Sequence, residues 1–361
     1  MTPVVGRLAP SPTGLLHVGN ARSLLLAWLS ARACGGRLLL RIEDLLPDGD
    51  LHMDGLLRDL AWLGLDWDGP LAGDLWTPCA PRTVDGRTFG DFLCQSDRSA
   101  AYAAILARLR ACGLVYPCIC TRKDIDTAAR APHAEDRGTP YPGTCRGRFA
   151  SEDEAVAEDR RRAACEGRPP LGVAWRLRVP EAPVTFEDAL CGRIASHLPS
   201  ESGDIVVRRK DGGFAYMFAV VVDDLAMGVT EVVRGDDLLS ATAQQLAVYD
   251  ALAQAAETTG DLKAFWRRAA HWQPPRHVHV PLVLGDDGRR LAKRNQSLHL
   301  SHLREAGVPA QRLRRWLSQS IGLPKLHDLA EMKDAFRLHL LPTQPVRFGA
   351  TELADLTLPQ A

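Results

Sequence analysis

The most constraining feature of the sequence is residues 7–22, which read RLAPSPTGLLHVGNAR. An apolar stretch leads into a turn in which two prolines restrict the backbone angle φ, whereas Gly14 allows a wide range of φ. Residues 17–20, His-Val-Gly-Asn, open a helix that continues through the mainly apolar residues 23–28. Such a strand, turn and helix N-terminus favour phosphate binding, because unpaired N–H groups and the helix dipole face the anion. The run therefore predicts a nucleotide site, although it has neither the lysine of a P-loop nor the glycine spacing of a dinucleotide site.

Length and composition are those of a protein with a large buried core. The chain has 361 residues, which is enough for two or more domains. No stretch approaches the length of a membrane-spanning helix and residues 1–6 do not resemble a signal peptide, so we expect a cytoplasmic protein without membrane association. The formal net charge is +0, which argues neither for nor against a nucleic-acid partner. The 9 cysteines are expected to be thiols or metal ligands rather than disulfides.

The first hundred residues alternate between strand-like and helix-like patterns, which predicts an α/β fold. Residues 37–43 form a short apolar run that is typical of a buried parallel strand. Residues 53–63 have helical apolar spacing, and residues 99–112 predict a second helix that ends at a glycine. Residues 71–96 are rich in glycine, proline and aspartate and are interpreted as a surface insertion.

The pattern changes between residue 114 and about residue 200, where cysteines, prolines and charged runs interrupt it. Regular structure resumes at residues 204–208, followed by residues 219–222 as an apolar strand and residues 240–256 as a helix. This return of α/β character predicts a nucleotide-binding sheet that is split by an inserted domain. The tail after about residue 262 is predicted to be helical.

A second motif, residues 288–295, reads GRRLAKRN and follows the strand-like residues 278–284. Basic residues in a loop beside bound ATP can follow the α-phosphate as it becomes pentavalent, and so stabilise mainly the transition state. The single lysine of the motif, Lys293, is therefore a candidate catalytic residue.

Both motifs resemble the signatures of class I aminoacyl-tRNA synthetases, in the form used by the glutamyl branch. Lys293 falls on the second lysine of the family's Lys-Met-Ser-Lys-Ser signature, whereas Arg290 and Ala292 stand at the first lysine and the serine. The resemblance covers roughly residues 3–300 and implies a Rossmann-type nucleotide-binding fold, split by an inserted zinc-containing domain and followed by a helical region. The implied domains are the N-terminal half of the catalytic domain (1–113), the inserted zinc-binding and RNA-contact domain (114–200), the C-terminal half of the catalytic domain (201–262), and the signature loop with the helical region (263–361).

The resemblance also implies the site residues. His17 and Lys293 would be catalytic. Glutamate has two carboxylates and one ammonium group, so its pocket needs two cations and one anion; Arg7 and Arg234 would bind the carboxylates in an order left open, and Glu43 the ammonium. The residues expected to bind ATP are Pro10, Gly14, His17, Gly19, Asn20, Arg290, Leu291 and Lys293. The residues expected to bind glutamate are Arg7, Ala9, Ser11, Glu43, Tyr216 and Arg234.

Three cysteines have the spacing of a metal site: Cys118, Cys120 and Cys145. Tetrahedral zinc needs one further ligand, for which Tyr141 and His133 are the candidates. The glutamyl-Q tRNA(Asp) synthetase subgroup has a similar Cys-x-Cys and Tyr-x-x-x-Cys pattern, which implies Tyr141. We therefore expect one structural Zn²⁺, in addition to the Mg²⁺ that accompanies ATP.

Two features favour this subgroup over full-length glutamyl-tRNA synthetases. The sequence after Lys293 is too short for the helical region that reads the anticodon, and Leu238 stands where full-length enzymes usually have histidine. The resemblance implies a monomer that activates L-glutamate with ATP and esterifies it to the queuosine base of tRNA(Asp).

Three alternatives remain open at this point. A compact glutamyl-tRNA synthetase would charge tRNA(Glu) by the same chemistry. A catalytically weak paralogue would only bind tRNA, and Arg290 and Ala292 are its support. A small-molecule nucleotidyltransferase would share a similar turn, of the His-x-Gly-His type. That turn usually ends in histidine, whereas this sequence has Asn20 at that position, which disfavours this alternative.

Overall fold

The computed structural model describes residues 3–46, 52–128, 139–256, 260, 262–291 and 298–357. The strands are β1 (Val5–Leu8), β2 (Arg37–Ile42), β3 (Arg82–Val84), β4 (Arg87–Phe89), β5 (Phe92–Cys94), β6 (Val115–Cys118), β7 (Ala174–Leu177), β8 (Val184–Asp188), β9 (Gly192–Ser196), β10 (Ile205–Arg208), β11 (Glu231–Gly235), β12 (Arg276–Val280), β13 (Val283–Leu284) and β14 (Val346–Arg347). The helices are α1 (Val18–Ala33), α2 (Met53–Leu63), α3 (Ser99–Ala111), α4 (Arg122–Ala128), α5 (Glu152–Glu166), α6 (Leu198–Glu201), α7 (Tyr216–Met227), α8 (Leu239–Gln254), α9 (Lys263–Ala270), α10 (Leu300–Glu305), α11 (Ala310–Ser320), α12 (Leu329–Ala335) and α13 (Ala350–Thr357). Among these, no helix combines the length and the apolar character needed to cross a membrane.

The centre of the fold is a parallel sheet whose strands end at one common edge. β2 lies between β1 and β5, and all three are parallel. β11 pairs in parallel with β12 and lies beside β1, where the Thr230 N–H donates to the Val5 carbonyl at 2.9 Å. α1 connects β1 to β2, as a parallel crossover requires. The carboxyl ends of β1, β2 and β11 therefore face one crevice, which is where ligands bind in open α/β sheets.

An antiparallel sheet interrupts this arrangement. β7 pairs with β6 on one side and with β10 on the other, so the sheet extends to Arg208, beyond the predicted boundary at residue 200. The β8–β9 hairpin follows β7 and reaches back to the parallel sheet, where Asp188 pairs with His277 of β12. The inserted segment is thus joined to the strands beside the crevice.

The C-terminal helices pack on the parallel sheet through α1. Arg22, which is only 1% exposed, donates hydrogen bonds to the carbonyls of Pro281 (2.6 Å) and Ser320 (3.2 Å). The Leu300 N–H donates to the Leu16 carbonyl at 2.8 Å, directly before the helix that His17 opens. The region after β13 is therefore fixed to the predicted nucleotide turn.

The prediction of a strand at residues 219–222 was wrong, because these residues lie in α7. Every residue from Phe218 to Met227 is buried, including Asp223 and Asp224. A helix that is buried on all sides shows no helical periodicity, so its run of three valines resembled a core strand.

The interpretation of residues 71–96 as a surface insertion was wrong for its last part. The β3–β4 hairpin is largely exposed, but Phe92–Cys94 forms the third strand of the parallel sheet and is fully buried. A strand of three residues between polar segments is too short to show a pattern.

Candidate active site and metal cluster

His17 forms the N-terminal cap of α1. Its Nδ1 accepts hydrogen bonds from the N–H groups of Gly19 (3.1 Å) and Asn20 (3.3 Å), and the Asn20 side-chain oxygen accepts from the His17 N–H (3.0 Å). With Nδ1 used as an acceptor, the neutral ring carries its proton on Nε2 and can donate it. A Cβ atom at Gly19 would lie 2.9 Å from the imidazole, so the close approach requires glycine.

The predicted ATP-binding and glutamate-binding residues that the structure describes line one cavity of about 630 Å³. Lys293 and Ala292, and also the alternative zinc ligand His133, lie outside the described residues. The predicted residues on the cavity wall are Arg7, Ala9, Pro10, Ser11, Gly14, His17, Gly19, Asn20, Glu43, Tyr216, Arg234, Arg290 and Leu291. The roles assigned to them remain predictions, but they do share one site.

One part of the wall carries two cations and one anion. Arg7 and Arg234 are 4% and 6% exposed, and Glu43 is 8% exposed. Arg7 donates to the Val233 carbonyl through Nη1 at 3.0 Å, while its buried Nε has no hydrogen-bond partner among the described residues. Ser11 donates to Glu43 at 3.3 Å. This arrangement has the charges that a dicarboxylic amino acid requires.

The protonation states of Glu43 and Tyr216 also suit a dicarboxylic amino acid. Burial raises the pKa of Glu43, which the guanidinium of Arg41, 3.1 Å away, partly opposes. A bound ammonium group would favour the ionised carboxylate further. Burial and the nearby Glu43 raise the pKa of Tyr216 to about 12, so its hydroxyl is neutral and can donate a hydrogen bond.

The second motif meets the first across the cavity. Arg290 forms an ion pair with Asp237 at 2.6 Å, and the Leu291 N–H donates to the Val283 carbonyl at 3.2 Å. Asp237 also lines the cavity and was not predicted as a site residue. The described part of the signature loop therefore begins beside the nucleotide turn.

The three predicted cysteine ligands form a buried cluster, which we call the thiol cluster: Cys118, Cys120 and Cys145. Their sulfur atoms lie within 4.8 Å of one another, and the Tyr141 hydroxyl is 3.4 Å from Cys118 and 3.8 Å from Cys120. In a tetrahedral site with Zn–S bonds of about 2.3 Å, sulfurs lie about 3.8 Å apart. Cys120 and Cys145 are 3.5 Å apart, so the donor set fits zinc in type and spacing.

A buried cation stabilises negative charge on this cluster. Arg176 donates to the Cys118 sulfur at 3.3 Å, and its guanidinium lies 3.8 Å from the centre of the Tyr141 ring. Hydrogen bonds from the neighbouring thiols, together with Arg176, hold the pKa of Cys118 well below its usual value. Burial raises the pKa of Tyr141, so a phenolate here would need a metal ion as its partner.

Two further clusters were not found from the sequence. His279 and Thr242 contact Arg234, and Asp188 contacts His279; the three come from separate elements with no shared motif. Cys79 and Cys94, which show no ligand spacing in the sequence, have sulfur atoms only 2.7 Å apart. In both cases the residues meet only through tertiary structure.

Comparison with known proteins defines the class. The family model described as "tRNA synthetases class I (E and Q), catalytic domain" matches residues 3–344. A glutamate tRNA ligase from Elizabethkingia meningosepticum, solved with its amino acid, has a TM-score of 0.69 at 22% identity, covering 97% of this chain and 68% of that one. This structural likeness shows the fold. The protein is thus a class I aminoacyl-tRNA synthetase of the glutamyl type, an enzyme that acts as a ligase.

The curated relatives are more specific. "Glutamyl-Q tRNA(Asp) synthetase" of Nitratidesulfovibrio vulgaris is 45% identical over 345 residues, which cover 95% of this chain and 94% of that protein. The protein of the same name from Symbiobacterium thermophilum is 39% identical, with 98% of each chain covered. "Glutamate--tRNA ligase 2" of Alkalilimnicola ehrlichii is 37% identical, and the match covers 98% of this chain but 68% of that protein. The chain belongs to the glutamyl-Q tRNA(Asp) synthetase family.

Proposed function

We propose that the protein activates L-glutamate with ATP and transfers it to the queuosine base in the anticodon of tRNA(Asp). The observation that carries the proposal is the shared cavity, in which Arg7, Arg234 and Glu43 lie on the same wall as the capped N-terminus of α1. Its volume of about 630 Å³ is in the range of small-molecule and cofactor sites. Amino acid and nucleotide can therefore be bound next to each other.

The charges of the pocket favour glutamate over glutamine. Arg7 and Arg234 offer two buried guanidinium groups, and glutamate brings two carboxylates. Glutamine would leave one guanidinium without its anion, at a cost of about 3–5 kcal/mol. Glu43 would receive the ammonium group and Tyr216 would add a hydrogen bond, both as the family resemblance implies.

For activation, the glutamate α-carboxylate attacks the α-phosphorus of ATP and pyrophosphate leaves. Mg²⁺, which class I synthetases use with ATP, would neutralise the phosphates. The protonated Nε2 of His17 can donate to the developing charge, and the N–H groups at the start of α1 favour phosphate through the helix dipole. Lys293 of the signature loop is proposed to stabilise the same transition state.

For transfer, a hydroxyl of the queuosine cyclopentenediol attacks the carbonyl of the glutamyl–AMP anhydride, and AMP leaves. The choice of acceptor rests on the names of the relatives, which are up to 45% identical over nearly their whole length. An anticodon stem-loop resembles an acceptor arm in shape, and RNA helices are recognised largely by shape and backbone.

The thiol cluster is proposed to hold one structural Zn²⁺ with Tyr141 as its fourth ligand. Support comes from the soft donors, their spacing and the cationic Arg176 beside them. The ion would hold β6 to the loop that carries Cys145.

The experiment is charging with radiolabelled glutamate on three RNAs: tRNA(Asp) with queuosine, tRNA(Asp) without it, and tRNA(Glu). We expect label on the first only, stable to removal of the 3′-terminal nucleotides. Label at the 3′ end of tRNA(Glu) would instead identify a compact glutamyl-tRNA synthetase. Absence of glutamate-dependent ATP–pyrophosphate exchange would indicate the tRNA-binding paralogue.

A further inference from the structure

A buried chain of hydrogen bonds ends on Arg234. The Asp188 carboxylate at the end of β8 lies 2.7 Å from His279 Nδ1 on β12, and the Arg234 Nε–H on β11 donates to His279 Nε2 at 3.0 Å. Asp188 is 4% exposed and His279 is 0% exposed. Three strands thus supply one residue each to this hydrogen-bond chain, in which Arg234 lies at the cavity and the other two residues lie behind it.

This chain of hydrogen bonds allows only one tautomer of His279. Because the Arg234 Nε–H is a donor, the imidazole must accept at Nε2 and therefore carries its proton on Nδ1. That proton is donated to Asp188, whose carboxylate also accepts the backbone N–H groups of Leu190 (3.0 Å) and Cys191 (2.9 Å). Burial and the positive charge of Arg234 lower the pKa of His279, so the ring stays neutral as this tautomer requires.

The hydrogen bonds of Arg234 also determine which of its nitrogen atoms can bind a ligand. Thr242 on α8 accepts from Arg234 Nη2 at 2.9 Å, so Nε and Nη2 are both bound to protein groups. Nη1 makes no hydrogen bond with the residues that the structure describes. Arg234 lines the cavity and is held rigidly, so Nη1 is the nitrogen best placed for a carboxylate.

We infer that His279 is a positioning residue for glutamate recognition, acting through Arg234, with Asp188 fixing its tautomer. The inference rests on the proposed function, because it assumes that Arg234 binds a glutamate carboxylate. His279 would thus contribute to specificity without contacting the substrate. Because Arg234 is already immobilised by His279, its guanidinium loses little conformational entropy when it binds a carboxylate.

The test compares three substitutions of His279 in glutamate-dependent ATP–pyrophosphate exchange. His279→Gln keeps an acceptor near the position of Nε2, His279→Asn keeps only a group near Nδ1, and His279→Leu keeps neither. We expect the KM for glutamate to rise about tenfold in the Leu and Asn variants, the effect of one lost hydrogen bond to a charged group, and less in the Gln variant. The KM for ATP should stay unchanged in all three.

Two controls separate a positioning role from a loss of stability. Ser318→Ala removes the hydroxyl hydrogen bond of a buried residue in α11, a helix that contributes no residue to the cavity lining, and should leave both KM values unchanged. In an Arg234→Ala background, His279→Leu should add nothing to the KM for glutamate, because the two residues act as one unit. Equal KM values for glutamate in the Gln, Asn and Leu variants, or an increase shared by ATP, would overturn the inference. If Arg234→Ala itself left the KM for glutamate unchanged, the proposed glutamate site would fail instead.

A second, independent observation concerns Cys79 and Cys94. Their sulfur atoms are 2.7 Å apart, and the Cys79 N–H donates to the Phe92 carbonyl at 2.9 Å, which fixes the two backbones side by side. Both cysteines line a cavity of about 490 Å³ that small molecules can enter. The geometry points to a dithiol that peroxide can oxidise to a disulfide.

The reaction is balanced with hydrogen peroxide as the oxidant. The Cys79 thiolate attacks one peroxide oxygen to give a sulfenic acid and releases water after protonation. The Cys94 thiol then attacks the sulfenic sulfur and releases a second water, so two thiols lose two electrons and two protons in total. Cys79 is the more accessible of the two and is the expected first nucleophile.

The zinc-loaded protein would be treated with hydrogen peroxide and digested with trypsin without reduction. Cleavage after Arg82 and Arg87 separates the two cysteines, so a linked pair of peptides reports the disulfide directly. We expect the linked peptides in the wild-type protein and in Cys34→Ser, a control that removes an exposed cysteine, but not in Cys79→Ser. Sulfinic or sulfonic acid on Cys79 without any linked peptide would overturn the assignment.

Discussion

At the scale of single residues, two charged groups of the cavity, Glu43 and Arg7, lie close to other buried charges. Arg41 is 0% exposed and lies between Glu43 and Asp224, to which it donates hydrogen bonds. Asp224 is also 4.0 Å from Arg7. A ligand thus meets side chains whose positions are already determined, which lowers the entropy lost on binding.

Lys293→Ala should lower glutamate-dependent ATP–pyrophosphate exchange by about 10²-fold or more, the loss expected for one transition-state stabiliser. The KM values should change much less than kcat, because the contact is made in the transition state. Arg289→Ala, which alters an exposed cation of the same motif, is the control and should stay near the wild-type rate. Near wild-type exchange in the Lys293 variant would instead assign the stabilising role to Arg290 or Arg294.

Asp188 should make stability depend on pH. Although burial opposes ionisation, the hydrogen bonds from His279 and from backbone N–H groups hold the pKa of Asp188 at about 2. The unfolded value is about 3.9, so the ionised carboxylate contributes about 2 kcal/mol above pH 4, and this contribution is lost as the pH falls towards 2. The loss of free energy of unfolding in Asp188→Asn should therefore be larger at pH 7 than at pH 3. Urea denaturation measures it, with the exposed Asp355→Asn as control; a difference independent of pH would contradict the assigned ionisation.

The residues of the cavity could be named from the sequence because they occur in contiguous motifs. Pro10, Gly14 and His17 follow one another in the chain, and their geometry is local. His279 and Thr242 could not be named, since neither belongs to a recognisable pattern and each gains its role only from the strand or helix beside it. The motifs therefore identified many residues of the cavity wall, but not Asp237, and not the residues behind the wall that contact Arg234.

At the scale of elements, secondary structure was predicted correctly where the sequence shows both a clear periodicity and a residue that ends the element. The predicted helix at residues 53–63 agrees with α2, which ends at Gly64 in the left-handed conformation. α7 was missed because burial on every side removes its periodicity, and β5 was missed because three residues are too few to show one. In both cases the tertiary environment, not local preference, determines the structure.

The antiparallel sheet should depend on zinc. The reason is that the free energy of metal binding contributes to the free energy of folding in such small modules. We expect about one Zn²⁺ per chain by metal analysis of protein purified without chelator. Tyr141→Phe should lower zinc affinity, whereas Tyr116→Phe, a buried tyrosine of the same sheet whose hydroxyl contacts Asp204 instead, should not. Zinc content near zero, with the thiol cluster fully reactive in the folded protein, would remove the site. Unchanged affinity in Tyr141→Phe would move the fourth ligand to His133 or water.

At the scale of the whole molecule, α1 joins the nucleotide turn to the C-terminal helices. Arg22→Met should lower the free energy of unfolding by about 3 kcal/mol, because the carbonyls of Pro281 and Ser320 lose buried hydrogen bonds to a charged donor. Arg32→Met, on the same helix but in a partly exposed ion pair with Asp68, should cost less than about 1 kcal/mol. Equal losses in chemical denaturation would show that Arg22 does not connect the two regions.

The contacts of Arg22 also bear on how the protein matures during synthesis. Its partner Ser320 lies 298 residues further along the chain. At about 5–20 residues per second, translation places Ser320 roughly 15–60 s behind Arg22. The other acceptor, Pro281, lies 259 residues from Arg22, so for most of this interval the guanidinium behind the nucleotide turn has neither of its native carbonyl acceptors. The N-terminal turn, although made first, would therefore be among the last parts of the molecule to reach its final form on the ribosome.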